Sequence, residues 1–127
     1  MYRIAVLTNS EAREAFFAEQ ISTLCSERSL FPNVDCYRAQ EHFFEAAQKM
    51  PPTNAVIALP GVDGLNAAEH LRALLPETRI IWCSDLDFSL HAFRLRVDQF
   101  LLEPVTEAAF RQGLCVWLEE KALSARS

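Results

Sequence analysis

Five short runs of apolar, β-prone residues alternate with five segments of helical periodicity, and this alternation constrains the fold more than any other feature. The third run, NAVIAL at 54–59, is almost entirely apolar, as expected for a central parallel strand buried on both faces. Strands that alternate with helices predict an α/β fold in which helices cover both faces of a parallel sheet. Right-handed crossovers and this chain length favour the five-stranded flavodoxin-like order 2-1-3-4-5.

The predicted elements follow one another without an internal repeat or a linker. We expect strands at 2–7, 34–37, 54–59, 79–83 and 99–102. Helices are predicted at 11–28, 39–49, 65–75 and 89–95, with a last helix capped by Thr106. The composition of Pro60–Gly64 (PGVDG) predicts a loop. The chain is therefore expected to form one domain over 1–123, with a frayed tail at 124–127.

Composition excludes several classes of protein. The net charge of −5 disfavours non-specific binding to nucleic acid or to an anionic membrane. No run reaches 18 apolar residues, so no membrane span is predicted. The N-terminus lacks the apolar region of a signal peptide, which makes a bacterial-type cytoplasmic location the expectation. The chain contains only three glycines, and so low a glycine content argues against a Gly-rich phosphate-binding loop.

The cysteines and histidines give no sign of a metal or catalytic centre. Cys25, Cys36, Cys83 and Cys115 have no zinc-motif spacing, and the expectation is small buried thiols in a reducing compartment. Nucleotide-binding and hydrolase motifs are absent from the sequence. We therefore predict no catalytic residues, no metal and no cofactor.

Sites in sheets of this order lie at the carboxyl ends of the strands, near the reversal of strand order. The residues expected there are Thr8 and Asn9, then Leu59 with the loop after it, then Cys83 and Ser84, and finally Glu103 and Pro104.

At these strand ends the sequence resembles the receiver domain of bacterial response regulators, the CheY-like fold. The resemblance extends over 2–122 and is strongest over 80–114, IIWCSDLDFSLHAFRLRVDQFLLEPVTEAAFRQGL. That stretch resembles receivers attached to LytTR-type DNA-binding domains, with a Ser ending one strand and a Leu-Leu-x-Pro strand end. The PGVDG segment is similar to the Pro-Gly-Met-Asp-Gly loop of the family.

The resemblance also implies a set of chemical positions, and most of them are changed here. In the family an acidic pair binds Mg²⁺ together with an acceptor Asp at the end of the third strand. The acidic pair falls on Thr8 and Asn9, and the acceptor falls on Val56, Ala58 or Leu59, depending on the gap. The family's strand-end Lys is replaced by Glu103. Only Ser84 suits its role, so the chain is predicted to be a pseudo-receiver that this route cannot phosphorylate.

The remaining carboxylates have structural interpretations. Asp63 is expected to be a turn residue, since the family carries Asp there without phosphorylating it. Asp85 and Asp87 are predicted to be solvated or to cap the helix at Ser89. Glu103 is expected to hydrogen-bond Thr8, Asn9 or Ser84 rather than to act as a base.

The resemblance points to protein contacts as the function. In the family the fourth helix, fifth strand and fifth helix form the switching and dimer face, which corresponds here to 89–119. The candidate face residues are Phe93, Arg94, Arg96, Asp98, Arg111, Trp117 and Glu119. We predict a homodimer or another protein partner, no direct nucleic-acid contact by this domain, and a cis Glu103–Pro104 bond. A DNA-binding domain could follow in a longer parent protein.

An alternative stays open at this point. The uncharged cleft above Thr8, Asn9, Leu59 and Ser84 could instead bind a small neutral molecule.

Overall fold

The structure is a computed structural model, and it describes the backbone of residues 2–126 and the side chains of residues 2–118. The strands are β1 (Arg3–Thr8), β2 (Asn33–Tyr37), β3 (Asn54–Ala58), β4 (Arg79–Ser84) and β5 (Gln99–Leu102). The helices are α1 (Glu11–Glu27), α2 (Gln40–Lys49), α3 (Gly61–Leu74), α4 (Ser89–Arg94) and α5 (Glu107–Arg126). The five strands form one parallel sheet in the order β2-β1-β3-β4-β5, which confirms the predicted topology.

Polar side chains set the starts of two helices, and the sequence predicts the one at Thr106. The Ser10 hydroxyl accepts the backbone N–H of Arg13 and caps α1. The Thr106 hydroxyl accepts the N–H of Ala109 and caps α5.

The predicted tail at 124–127 lies outside the residues whose side chains are described. The boundary between the domain at 1–123 and this tail stays a prediction.

The predicted Pro60–Gly64 loop is wrong, because α3 begins at Gly61. Gly61 has a φ of +53°, a left-handed conformation that glycine adopts without strain. Gly64 is buried within the helix, where a Cβ atom would lie 2.5 Å from the Leu59 carbonyl oxygen. The second glycine therefore permits close packing of α3 against the end of β3, although its composition suggests a turn.

Two apolar clusters form the core, one on each face of the sheet. On one face α1 and α5 contribute Phe17, Phe110 and Trp117. On the other face α2, α3 and α4 pack against the sheet through Phe43, Leu71 and other side chains. No helix among the described residues combines the length and apolar character needed to cross a bilayer.

Candidate functional site

The carboxyl ends of β1, β3 and β4 lie side by side at one edge of the sheet. Thr8 is level with Ala58, and Ala58 is level with Cys83, in the parallel register. Ser84 is paired with Leu102 of β5. The topology thus brings together the strand-end residues that the sequence singles out.

The end of β3 carries no carboxylate. Val56 lies inside the strand between Val6 and Ile81 and is fully buried. Ala58 is the last strand residue, and Leu59 after it packs into the core cluster on the α2 and α3 face. Of the three alternatives for the family's acceptor position, Ala58 and Leu59 are the two at the strand end.

The two hydroxyls at the site hold the loops that follow their own strands. The Thr8 hydroxyl accepts the N–H of Ser10 at 3.3 Å, and the Ser84 hydroxyl accepts the N–H of Leu86 at 3.1 Å. Both side chains are fully buried, whereas Asn9 is exposed. These hydrogen bonds stabilise the chain reversals after β1 and β4.

Glu103 forms an ion pair with Arg13 of α1. The Arg13 Nη2 atom lies 2.6 Å from Glu103 Oε2, and the Glu103 side chain is 12% exposed. The prediction that the Glu103 side chain hydrogen-bonds Thr8, Asn9 or Ser84 is wrong. The Glu103 backbone N–H donates to the Ser84 carbonyl, while its carboxylate is directed toward α1. The peptide bond between Glu103 and Pro104 is cis.

Cys83 lies within electrostatic range of this ion pair. Burial raises the pKa of the Cys83 thiol to about 12, and the Glu103 carboxylate adds to the rise while Arg13 opposes it. Cys83 is therefore a neutral thiol, and a thiol in that state is a poor nucleophile.

The remaining acidic residues are partly accounted for by backbone hydrogen bonds. Asp87 accepts the N–H of Ser89 at the start of α4, and the hydrogen bonds from Ser89 lower the pKa of this carboxyl. Asp85 accepts the N–H of Gly61 at 2.8 Å and joins the loops after β3 and β4. Asp63 lies exposed in the first turn of α3, where a negative charge favours the helix.

Within the described part of the chain, His, Cys, Asp and Glu form no group able to hold a metal ion.

The candidate face at 89–119 is smaller than the sequence suggests. Phe93, Arg94 and Arg96 are exposed, with Phe93 at 81%. Trp117 is wrong as a surface residue, because it continues the buried stripe of α5 and is 2% exposed. Glu119 lies outside the residues whose side chains are described.

Two other residues of this face are engaged within the molecule. The Asp98 carboxylate accepts from Arg79 at 2.6 Å and from the backbone N–H of Ile80 at 2.7 Å. Arg111 is paired with Glu27 of α1. Both side chains bind neighbouring elements of the same chain.

Three exposed leucines near this face were not predicted from the sequence. Leu86 precedes α4, Leu90 lies one helical turn from Phe93, and Leu102 ends β5. We call Leu86, Leu90 and Phe93 the α4 patch. The sequence feature that could have predicted this patch is the three-residue spacing of Leu90 and Phe93, which places both on one side of α4. The buried residue of α4 is Ala92.

The groove beside the ion pair lies on its α1 side, away from Thr8 and Ser84. Its volume is about 490 Å³. It is lined by Ala12, Arg13, Phe16, Phe17, Glu103, Pro104 and Val105. The cavity is therefore displaced from the cleft over Thr8, Asn9, Leu59 and Ser84 that the small-molecule alternative invokes.

Comparison with known proteins identifies this architecture. A response regulator of the LuxR family from Aurantimonas sp. SI85-9A1 superposes with a TM-score of 0.73 at 20% identity, covering 94% of this chain and 86% of that one. The chemotaxis protein CheY4 of Vibrio cholerae superposes with a TM-score of 0.72 at 12% identity, and the match covers 90% of this chain and 96% of that one. A CheY-like receiver domain protein from Methanospirillum hungatei JF-1 superposes with a TM-score of 0.74 at 16% identity, and the match covers 98% of both chains.

These similarities show that the fold is the CheY-like flavodoxin fold. No protein-family model and no curated protein matches the sequence.

Proposed function

We propose that this protein is a phosphorylation-independent pseudo-receiver, a cytoplasmic module of bacterial signal transduction that regulates by protein contact rather than by catalysis. The observation that carries this proposal is the Arg13–Glu103 ion pair at the end of β5. In the receivers that the sequence resembles, a Lys occupies that strand end. The resemblance of residues 80–114 to the receivers of LytTR-type regulators is part of the same proposal. It suggests that the protein acts together with a regulator of transcription.

Glu103 gives the end of β5 a charge opposite to the one that phosphoryl binding needs. A Lys at the end of β5 would attract a phosphoryl group, whereas the Glu103 carboxylate repels one. The cation sits on α1 and is held by Glu103 at 2.6 Å. With Ala58 and Leu59 at the end of β3, the site offers neither an acceptor carboxylate nor a lysine to pair with it.

We further propose that the protein forms a homodimer through the α4 patch. Acidic Asp85 and Asp87 precede α4, whereas basic Arg94 and Arg96 lie at and after its end. The exposed side chains of Leu90 and Phe93 lie between these charges. Across a two-fold axis with antiparallel α4 helices, the acidic end of one copy would meet the basic end of the other, as an isologous interface requires.

Phosphoryl-donor chemistry tests the proposed loss of phosphorylation. Incubation with acetyl phosphate or beryllofluoride in the presence of Mg²⁺ should leave the mass, the NMR chemical shifts and the oligomeric state unchanged. A phosphorylatable receiver treated in parallel serves as the positive control. A stable adduct on Asp63 or on any other carboxylate would overturn the proposal.

A further inference from the structure

The negative charge of the chain is concentrated at the carboxyl ends of the strands. Five segments lie there, each made of the residues after a strand and the first turn of the next helix, at 9–14, 38–43, 59–64, 85–92 and 103–110. They carry eight of the seventeen acidic residues but only two of the twelve basic ones. This end of the molecule therefore has a formal charge of −6, whereas the rest of the chain has +1.

Both basic residues at this end are already paired with its carboxylates. The Arg13 guanidinium lies 2.6 Å from Glu103, and the Arg38 guanidinium lies 2.9 Å from Glu14. The six other carboxylates form no ion pair within the described part of the chain. They are Glu11, Glu41, Asp63, Asp85, Asp87 and Glu107. The negative charge at this end is therefore left without a cationic partner in the same molecule.

Three exposed apolar side chains lie among these carboxylates. Val62 is 61% exposed, Leu86 is 49% exposed and Leu102 is 52% exposed. A hydrogen bond of 2.8 Å between the start of α3 and the loop after β4 brings Val62 close to Leu86. The Leu86 N–H donates to Ser84, which is paired with Leu102 in the sheet register. We call Val62, Leu86 and Leu102 the strand-end patch.

We propose that the strand-end patch and the carboxylates around it bind a basic, amphipathic segment of another protein. Apolar side chains of that segment would cover the patch, and its Lys or Arg side chains would face the carboxylates. Exposed apolar side chains bordered by charged groups are typical of a surface that a partner covers. The inference rests on the proposed regulation by protein contact and adds the chemistry of the partner.

Charge favours a basic segment over the other possible occupants. A nucleic acid or an acidic peptide would be repelled by a surface of charge −6. A second copy that docked the same end would bring two such surfaces together. The α4 patch includes Leu86 but neither Val62 nor Leu102, so the proposed dimer does not account for these two exposed side chains.

An amphipathic peptide of leucines and lysines, with the leucines on one face of its helix, is the probe for this surface. In proton–nitrogen correlation NMR it should cause saturable shifts of the backbone amides of Val62, Leu86 and Leu102. The amides of Phe31 and Met50, which precede β2 and β3, should not shift. Calorimetry should find weaker binding as salt is added, because salt screens the attraction. The same peptide with glutamate in place of lysine should not bind.

Substitutions of exposed residues locate the binding surface without disturbing the core. Val62→Ser and Leu102→Ser should each weaken binding of the leucine–lysine peptide about fivefold, since each removes an apolar contact. Phe31→Ser changes an exposed apolar side chain near the opposite end of the sheet and should have no effect. Asp63→Asn should weaken binding about threefold, whereas Glu77→Gln, at an exposed carboxylate before β4, should not.

Four outcomes would overturn the proposal. They are no binding of the leucine–lysine peptide, amide shifts centred on the opposite end of the sheet, equal binding of the glutamate peptide, and binding to Val62→Ser and Leu102→Ser that matches the wild type. None of them would decide the proposed loss of phosphorylation or the proposed dimer. Acetyl phosphate treatment tests the first of these, and analytical ultracentrifugation tests the second.

Discussion

The guanidinium of Arg13 and the carboxylate of Glu103 lie 2.6 Å apart, and they join the first turns of α1 to the end of β5 across ninety positions of the sequence. Ser10 caps α1 and thereby sets the position of Arg13 on the helix. The pair places a negative charge at a strand end where the receivers resembled by this chain carry a positive one.

Removing one member of the pair should cost stability. Glu103→Gln should lower the free energy of unfolding by about 1 kcal/mol, because Arg13 loses its charged partner. Urea denaturation of the two single variants and the double variant Arg13→Gln/Glu103→Gln measures the coupling. The matched control is Lys49→Gln, which breaks the highly exposed pair with Glu45 and should have a much smaller effect. Equal losses at the two pairs would contradict a special role for Arg13–Glu103.

Magnesium should not stabilise the protein. Thr8 and Asn9 supply no anionic ligand, and Mg²⁺ exchanges its water reluctantly for neutral oxygens. A millimolar titration should raise the Tm no further than a salt control of equal ionic strength. Saturable stabilisation by Mg²⁺ that disappears in Asn9→Ala would indicate a functional metal site.

A charged residue in the α4 patch should disrupt the proposed dimer. Phe93→Glu places a carboxylate at the centre of the interface and should shift the protein to a monomer in analytical ultracentrifugation. Phe31→Glu introduces the same charge at a comparably exposed phenylalanine near the opposite end of the sheet and should leave the dimer intact. A wild-type chain that remains monomeric at high concentration would refute the homodimer.

The stability of the protein should depend on Arg72 even when the substitution is conservative. Its guanidinium donates to five backbone carbonyls near the ends of α3 and α4, those of Leu75, Pro76, Thr78, Leu95 and Arg96. Arg72→Lys should lower the free energy of unfolding by about 2 kcal/mol, since a single ammonium group cannot reach this set of acceptors. Arg94→Lys on exposed α4 is the control and should be nearly neutral. Chemical denaturation that finds the two variants equally stable would contradict this role.

Stability should decline in alkaline solution partly because of Cys83. The thiol ionises near its ordinary pKa of 9.0 when the chain is unfolded, but burial holds its proton up to a pKa of about 12 in the folded protein. Between these values the folded state binds more protons, so the free energy of unfolding falls as the pH rises above 9. Cys83→Ser should show a shallower decline in urea titrations over the same pH range. An identical slope in both proteins would exclude this contribution.

Much of the fold follows from local sequence patterns. The apolar run at 54–59 and the helical spacing of Phe110, Leu114 and Trp117 predict elements that the structure contains, because strand and helix periodicity are local properties of the chain. The caps at Ser10 and Thr106 are equally local. The order of strands follows from the same alternation together with the handedness of crossovers.

The tertiary structure alone decided which side chains meet. Nothing near Glu103 in the sequence indicates Arg13 as its partner, since their approach depends on how α1 packs against the sheet. Trp117 has a spacing that suits the core and a position on a predicted face, and the rotation of α5 about its axis buries it. Gly64 carries a turn signal, yet the 2.5 Å approach to Leu59 makes it a packing residue of α3. Local periodicity specifies elements because their backbone hydrogen bonds are short-range in sequence. Pairing between elements depends on packing across the whole domain, which sets the position of every side chain at the site.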